Sequence, residues 1–253
     1  MNAAAEAATL RDAITRYHDL LGDDRLAAES WQMLEAGHRS RGMYFGERPL
    51  CSVLRPRFLT PAQYREISSG VEREMGAFRR AYDAAMADAA FRTRFHLLDW
   101  EETLLSDPVR VEEPSPTGRL DAFFTPDDGA LRFTEYNAET PAGPAYMDEL
   151  SEVMLALPVM GEFLTTHSVR PLPARHGVLH ALLRAWKAWG GSRPPQIAVL
   201  DWDDVPTRSE HRFFCEYFRG LGLHCELGDP RLLQAGRRPH RRGELPRSAG
   251  RSG

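Results

Sequence analysis

The sequence predicts an α/β protein, and three observations carry that expectation. Apolar side chains recur at helical spacing through most of the first hundred residues. Two short β-rich segments then flank Pro126-Asp127-Asp128-Gly129, a hairpin signature. Later, an apolar strand, a capped helix and a second strand follow one another between Gln196 and Leu227, the order of a parallel β-α-β unit.

Taken in order, residues 5–21 and 24–38 read as two helices. Leu10, Ile14, Tyr17 and Leu21 share one face, and Gly22-Asp23-Asp24 separates the pair. The stretch 42–59 has the aromatic and β-branched content of a strand with proline breaks, and a short strand is expected near 50–55. Thr60-Pro61-Ala62-Gln63 opens a long helix, with Thr60 as N-cap, Pro61 in the first turn and Gln63 closing a capping box. Tyr64, Ile67, Val71, Met75 and Phe78 form its apolar stripe. Residues 88–106 continue as a further helix, ended by Asp107-Pro108 and a Pro-rich joint at 112–118.

Beyond the joint come the two hairpin strands, 119–125 and 130–136, and then helices over 145–164 and 175–189. Gln196–Leu200 is a continuously apolar strand of the buried parallel type. Thr207-Arg208-Ser209-Glu210 reads as a capping box opening the next helix, which Gly222 closes before the strand 223–227. The resulting division is 1–113 as a mostly helical region, 114–170 as the hairpin with its following helix, and 171–233 as a partial Rossmann-like domain. Residues 234–253 form a tail, 12 of whose 20 positions are Arg, Gly or Pro. That tail reads either as disordered or as a non-native sequence replacing a lost continuation, and the unfinished sheet before it favours the second.

The bulk numbers exclude several classes. With 253 residues, 42% hydrophobic and 27% charged, the chain can form one large core or two small ones. No apolar run nears the roughly 20 residues that span a bilayer. The Ala-rich N-terminus, interrupted by Glu6, Arg11 and Asp12, lacks the regions of a secretory signal. No membrane partner and a cytoplasmic location are therefore expected. Cys51, Cys215 and Cys225 are far apart, odd in number and outside any CxxC spacing, which reads as reduced buried thiols. The net charge is −4, although residues 234–253 hold six arginines against Glu244. The rest is thus acidic, and a nucleic-acid surface, which needs a basic face, is not expected.

The hairpin carries the sharpest chemical signal. A three-residue loop of Asp127-Asp128-Gly129, with Gly129 at positive φ, would place Pro126 opposite Ala130, Asp121 opposite Glu135 and Arg119 opposite Asn137. Side chains alternate along a strand, so Arg119, Asp121, Glu135 and Asn137 would share one face. Like charges directly across a sheet repel, and a bound cation would relieve them. Two carboxylates and an amide carbonyl suit a hard ion such as Mg²⁺ or Mn²⁺ rather than zinc. The other reading of the same residues is a solvated polar face whose acids Arg119 neutralises.

The stretch Arg119-Leu120-Asp121, then Glu135-Tyr136-Asn137-Ala138-Glu139-Thr140-Pro141, resembles the metal-binding hairpin of circularly permuted ATP-grasp enzymes, the group that includes glutathionylspermidine synthetase. The resemblance implies a β-hairpin or sheet of ATP-grasp type and an ATP-dependent ligase joining a small-molecule or peptide-like carboxylate to an amine through an acyl phosphate. Asp121, Glu135 and Asn137 would ligate Mg²⁺, and Arg119 would stabilise the transferred phosphoryl group. Pro141-Ala142-Gly143 would present backbone to substrate, with Thr140 beside it as a substrate contact. The family also holds the nucleotide phosphates with lysines, whereas Lys187 is the only lysine here. The chain is therefore expected to be inactive by itself; the alternative is a non-catalytic binding or scaffold protein that keeps the fold.

Weaker candidates for substrate binding are Asp201 and Asp203, at the end of a parallel strand where open α/β sheets place ligands, and Arg55, beside Pro56. Turn acids and a surface arginine account for the same residues. The histidines form no metal-ligand spacing.

Overall fold

The computed structural model describes residues 3–105, 115–125, 129–139 and 141–233. The described chain is a mixed helix and strand protein. Its helices are α1 (Ala3–Leu21), α2 (Asp24–Arg41), α3 (Pro61–Ala87), α4 (Ala89–Arg92), α5 (Asp99–Leu104), α6 (Pro144–Ala156), α7 (Pro158–Leu164), α8 (Ala174–Ala188) and α9 (Arg208–Gly220). Three two-stranded sheets accompany them. β1 (Tyr44–Phe45) with β2 (Arg48–Pro49) and β3 (Arg119–Thr125) with β4 (Ala130–Asn137) are antiparallel, and β5 (Gln196–Leu200) with β6 (His224–Gly228) is parallel. No described helix is long and apolar enough to cross a membrane.

The chain divides into two compact units, each drawn from two stretches: residues up to Asp12 with Phe58–Ala138, and Ala13–Arg57 with the chain from Glu139 onward. The hairpin thus belongs with α3, while the helix that follows it belongs to the other unit, a grouping that cuts across the sequential division. The helix expected over 88–106 is broken. A 3-10 turn at Thr93–Phe95 and His96 at φ 51 separate α4 from α5. The strand expected near 50–55 is instead irregular, with pairing confined to the two-residue strands before it.

In the first unit, the capping box at the head of α3 forms as expected: Gln63 N donates to Thr60 Oγ1 (3.2 Å) and Thr60 N to Gln63 Oε1 (3.0 Å). The apolar face of the hairpin packs on this helix. Phe78 stacks on Tyr136, with ring centroids 4.3 Å apart. Gly70 lies buried against Leu131, and a Cβ there would collide with that side chain.

The second unit has two apolar clusters. Tyr17, Leu34, Met43, Val153, Leu157, Val159, Met160 and Phe163 are all buried. Leu179, Cys215, Phe218 and Cys225 form the other, between α8, α9 and the parallel strands. Along β5 only Ile197 and Val199 pack on that cluster, so the sheet is covered on one face, where the apolar run predicts two. The single helix expected over 145–164 is two, because Pro158 forces Leu157 to extended geometry (φ −62, ψ 140).

Three helices of this unit begin on N-cap residues with no side-chain acceptor, namely Gly143, Leu157 and Pro173. Each receives its cap from a distant element. Glu210 on α9 accepts from Gly143 N (2.8 and 2.9 Å), Ala145 N (2.9 Å) and Tyr146 N (3.5 Å) at the head of α6. Ser30 on α2 accepts from Val159 N (3.1 Å) in α7. Asp148 on α6 accepts from Ala174 N (2.8 Å) and Arg175 N (3.0 Å) in α8. The first turn of a helix leaves backbone donors without intrahelical partners, and these side chains satisfy them in the interior. Glu210 is therefore not the local capping-box acid of α9: Thr207 makes no side-chain cap, and the carboxylate is committed to α6.

Candidate functional site

The hairpin aligns the four predicted residues as expected. Arg119 pairs with Asn137 and Asp121 with Glu135, so all four lie on one face. The route to that register differs from the expected one. Toward the turn, Thr125 opposes Ala130 and Phe124 opposes Leu131, one residue out of step with the pairing above. A bulge at Thr134 restores the step between Asp121 and Ala122, and Thr134 Oγ1 donates to Asp121 O (3.0 Å). Gly129 does adopt positive φ (+67) and its N–H closes onto Thr125 O (3.0 Å), whereas Asp127 and Asp128 lie outside the described residues.

The bulge alters which residues reach each face. Phe133 opposes Ala122 and joins Leu120, Phe124, Leu131 and Tyr136 on the packed side. Arg132 opposes Phe123, placing a second guanidinium on the polar face beside a phenyl ring that is 72% exposed. Strict alternation counted back from Glu135 would put Arg132 on the packed side, and the extra residue Thr134 moves it to the polar one.

Within the face, Arg119 Nε donates to Asp121 Oδ1 (2.8 Å) and Nη2 to Oδ2 (3.4 Å). Glu135 is exposed on the neighbouring strand. Asn137 has a buried amide nitrogen without a hydrogen-bond partner among the described residues. A buried amide of that kind is costly unless a further group completes it. Among the described residues no three His, Cys, Asp or Glu side chains are grouped to hold a metal. The donors the face offers are two carboxylates and one amide oxygen, which fit Mg²⁺ because that ion keeps several waters and shares phosphate oxygens.

The other predicted contacts belong to the second unit, except Thr140, which lies outside the described residues. Asp201 caps the end of β5: Oδ1 accepts from Trp202 N (2.8 Å), and Oδ2 lies 3.6 Å from His211 Nε2. Asp203 is ion-paired to Arg208, and its N–H donates to Asp229 (3.4 Å). Arg231 pairs with Asp229, holding that carboxyl well below the usual carboxylate range, and covers the Trp202 ring at 5.0 Å. The carboxylates of Asp201 and Asp203 are thus engaged by Trp202 N, His211 and Arg208, and Asp229 ties the end of β6 to the turn after β5. Arg55 lines an open groove with His18, Trp31 and Val53 and donates to Pro56 O (3.4 Å). Gly143 N, expected to face a substrate, is taken by Glu210.

Burial lowers the pKa of His211, outweighing the opposite pull of the Asp201 charge. A histidine depressed in the fold is protonated first in the unfolded chain, so stability falls as pH drops through the ordinary value near 6.5. His211→Gln should therefore lose less melting temperature between pH 7.5 and 5.5 than the wild type, in a mixed buffer of constant ionic strength (roughly these limits bracket the free histidine value). Equal losses in the two proteins would refute this assignment.

His38 is accounted for by backbone: Nδ1 donates to Leu34 O (2.8 Å) and Nε2 accepts from Cys51 N (3.3 Å). Compared with models of known protein families the chain matches none, and no curated protein matches it.

Proposed function

We propose that this chain carries the metal side of an ATP- and Mg²⁺-dependent carboxylate–amine ligase of the circularly permuted ATP-grasp type. The observation that supports this reading is the hairpin face itself. Asp121 and Glu135 oppose each other directly, flanked by Arg119 and by Asn137 with its unpartnered amide nitrogen. Two acids facing across a sheet are unfavourable without a cation, and Arg119 is already paired with Asp121.

Bound Mg²⁺ would supply charge neutralisation on the ATP phosphates. Asp121 and Glu135 would hold the ion through carboxylate oxygens and Asn137 through its amide oxygen. Arg119, released from Asp121, would offer its planar fork to the γ-phosphoryl oxygens, where positioning and charge dominate the chemistry. Arg132 on the same face extends the positive field toward the nucleotide, in a chain whose only lysine is Lys187. The phosphoryl group passes to the substrate carboxylate, and an amine then displaces phosphate from the acyl phosphate.

The test is a Mn²⁺ titration of the full chain with ATP present, followed by water-proton relaxation. Asp121→Ala and Glu135→Ala should each weaken Mn²⁺ binding about tenfold or more. Unchanged affinity in both variants, with folding verified by circular dichroism, would overturn the reading. A second reading, a non-catalytic binding or scaffold protein, draws on the Arg119–Asp121 ion pair, which satisfies the face without a metal. It predicts no response to Mg²⁺-ATP in the same titration.

A further inference from the structure

The three cysteines, unremarkable in spacing, are not equivalent in the fold. Cys215 lies on α9 and Cys225 is the second residue of β6; Gly222 at φ +82 turns the chain between them. Their sulfurs are 3.1 Å apart, and each residue is 1% exposed, enclosed by Leu179, Phe218, Ile197 and Val199. Cys51 is half-buried on a separate irregular segment, where its thiol donates to Val53 O (3.3 Å).

We propose that Cys215 and Cys225 form a redox pair, converted by a peroxide to a disulfide that ties α9 to β6. A disulfide needs its sulfurs at about 2.05 Å, so closure asks for a movement of about 1 Å between two elements already in contact. Packing favours that partner: both thiols lie in one buried cluster, of which Cys51 is not a member.

The pair is also chemically asymmetric. The hydrogen bond from Cys225 pushes the Cys215 thiol down, against burial and with help from the Arg219 guanidinium, while the same bond and burial push Cys225 up. Arg219 is held in place by its own bond to Cys225 O (2.7 Å). Cys215 is thus the attacking sulfur, because the thiolate is the nucleophile. Its electron pair forms a bond to one peroxide oxygen, the O–O bond breaks, and hydroxide leaves with a proton as water. The Cys225 sulfur then attacks the sulfenic sulfur; the S–S bond forms, the S–O bond breaks, and the departing hydroxide takes the Cys225 proton. Two thiols are oxidised by two electrons, and one hydrogen peroxide becomes two waters. Peroxide is close to water in size, so local opening of α9 suffices to admit it.

The experiment treats the full chain with hydrogen peroxide, unfolds it, and labels the remaining thiols with N-ethylmaleimide. One label per chain is expected, at Cys51, in place of the three carried by the untreated protein. Trypsin, cutting after Arg212, Arg219 and Arg231, should yield the 213–219 and 220–231 peptides joined, two hydrogens lighter than their sum and separated by dithiothreitol. The Cys51→Ser variant should lose both of its labels in the same way. Three labels after treatment, a Cys51-linked product, or a sulfinic acid on Cys215 beside a labelled Cys225 would each overturn the proposal. Cys225→Ser, where folded, should accumulate a dimedone-reactive sulfenic acid on Cys215.

Discussion

Replacing Glu210 with alanine should destabilise the second unit by about 3–4 kcal/mol, since hydrogen bonds to a charged group contribute about 1.5–3 kcal/mol each and orphaned buried donors add their own cost. Glu210 is 1% exposed, and its carboxylate accepts from three backbone N–H groups at the head of α6. Gly143 cannot replace it: as N-cap it has no side chain, and its φ of +129 excludes a residue that has one. A negative charge at a helix N-terminus is further favoured by the aligned peptide dipoles. The loss is a large share of the roughly 5–15 kcal/mol that separates folded from unfolded domains. It should appear as a fall in melting temperature of about 10 °C by circular dichroism. Glu210→Gln keeps one oxygen for Ala145 and Tyr146 but turns an amide N–H toward Gly143, so it should fall between the two. A variant E210A that melts within about 1 °C of the wild type would mean that α6 finds its cap elsewhere.

The second large effect is expected at Arg175, 11% exposed, which bonds three acids of α6 at once. Its Nε reaches Asp148 (3.1 Å), Nη1 reaches Glu149 (2.6 Å) and Nη2 reaches Glu152 (2.9 Å). Arg41 of α2 joins the network through Glu149 and Glu152 (2.9 Å to the latter), and the Tyr217 ring lies 4.9 Å beneath the Arg175 guanidinium. Removing one member of a fully buried ion pair strands its partner at a cost of about 3–5 kcal/mol, and the solvent that reaches the half-exposed Glu152 reduces that here. Arg175→Met should fall at the lower end, because Arg41 still serves two of the three acids. Arg175→Lys should recover little of the loss, since a single ammonium cannot present the fork that spans three carboxylates.

The pH dependence separates this from simple loss of packing. Burial acts to raise the pKa of Glu152, but the hydrogen bonds from Arg41 and Arg175 outweigh it and hold the group below its ordinary value of 4.5. A carboxylate depressed in the fold contributes stability above its unfolded pKa and loses it as pH falls through the folded one. The gap in melting temperature between wild type and Arg175→Met should therefore narrow below about pH 4.5. A gap of constant width would assign the loss to packing alone.

Much of the local structure was legible in the sequence because its causes are local. The Thr60–Gln63 capping box, the break at Gly22-Asp23 and the left-handed Gly129 each depend on neighbours within a few residues, and each formed as read. The pairing of Asp121 with Glu135 was also reached, although from a turn register one residue out of step that the Thr134 bulge then restored. A bulge is an insertion with no strong residue signature, so the placement of Arg132 on the polar face and Phe133 on the packed one is set by the pairing around Thr134. Pro158 carried a readable break that helical periodicity concealed.

Sequence alone thus determined the α/β character, most helix starts and the polar hairpin face, since periodicity, capping and turn chemistry act over a handful of residues. Tertiary structure decided what distant residues do for one another. Glu210 reads as a local capping-box acid, and nothing in the sequence marks Asp148, until packing sets them against backbone donors 65 and 26 residues away. Cys215 and Cys225 look like scattered thiols until α9 folds onto β6 and brings the sulfurs to 3.1 Å. Burial is the physical reason: a polar group removed from water must find a partner, and the partner is chosen by proximity in space, for which separation along the chain is no guide.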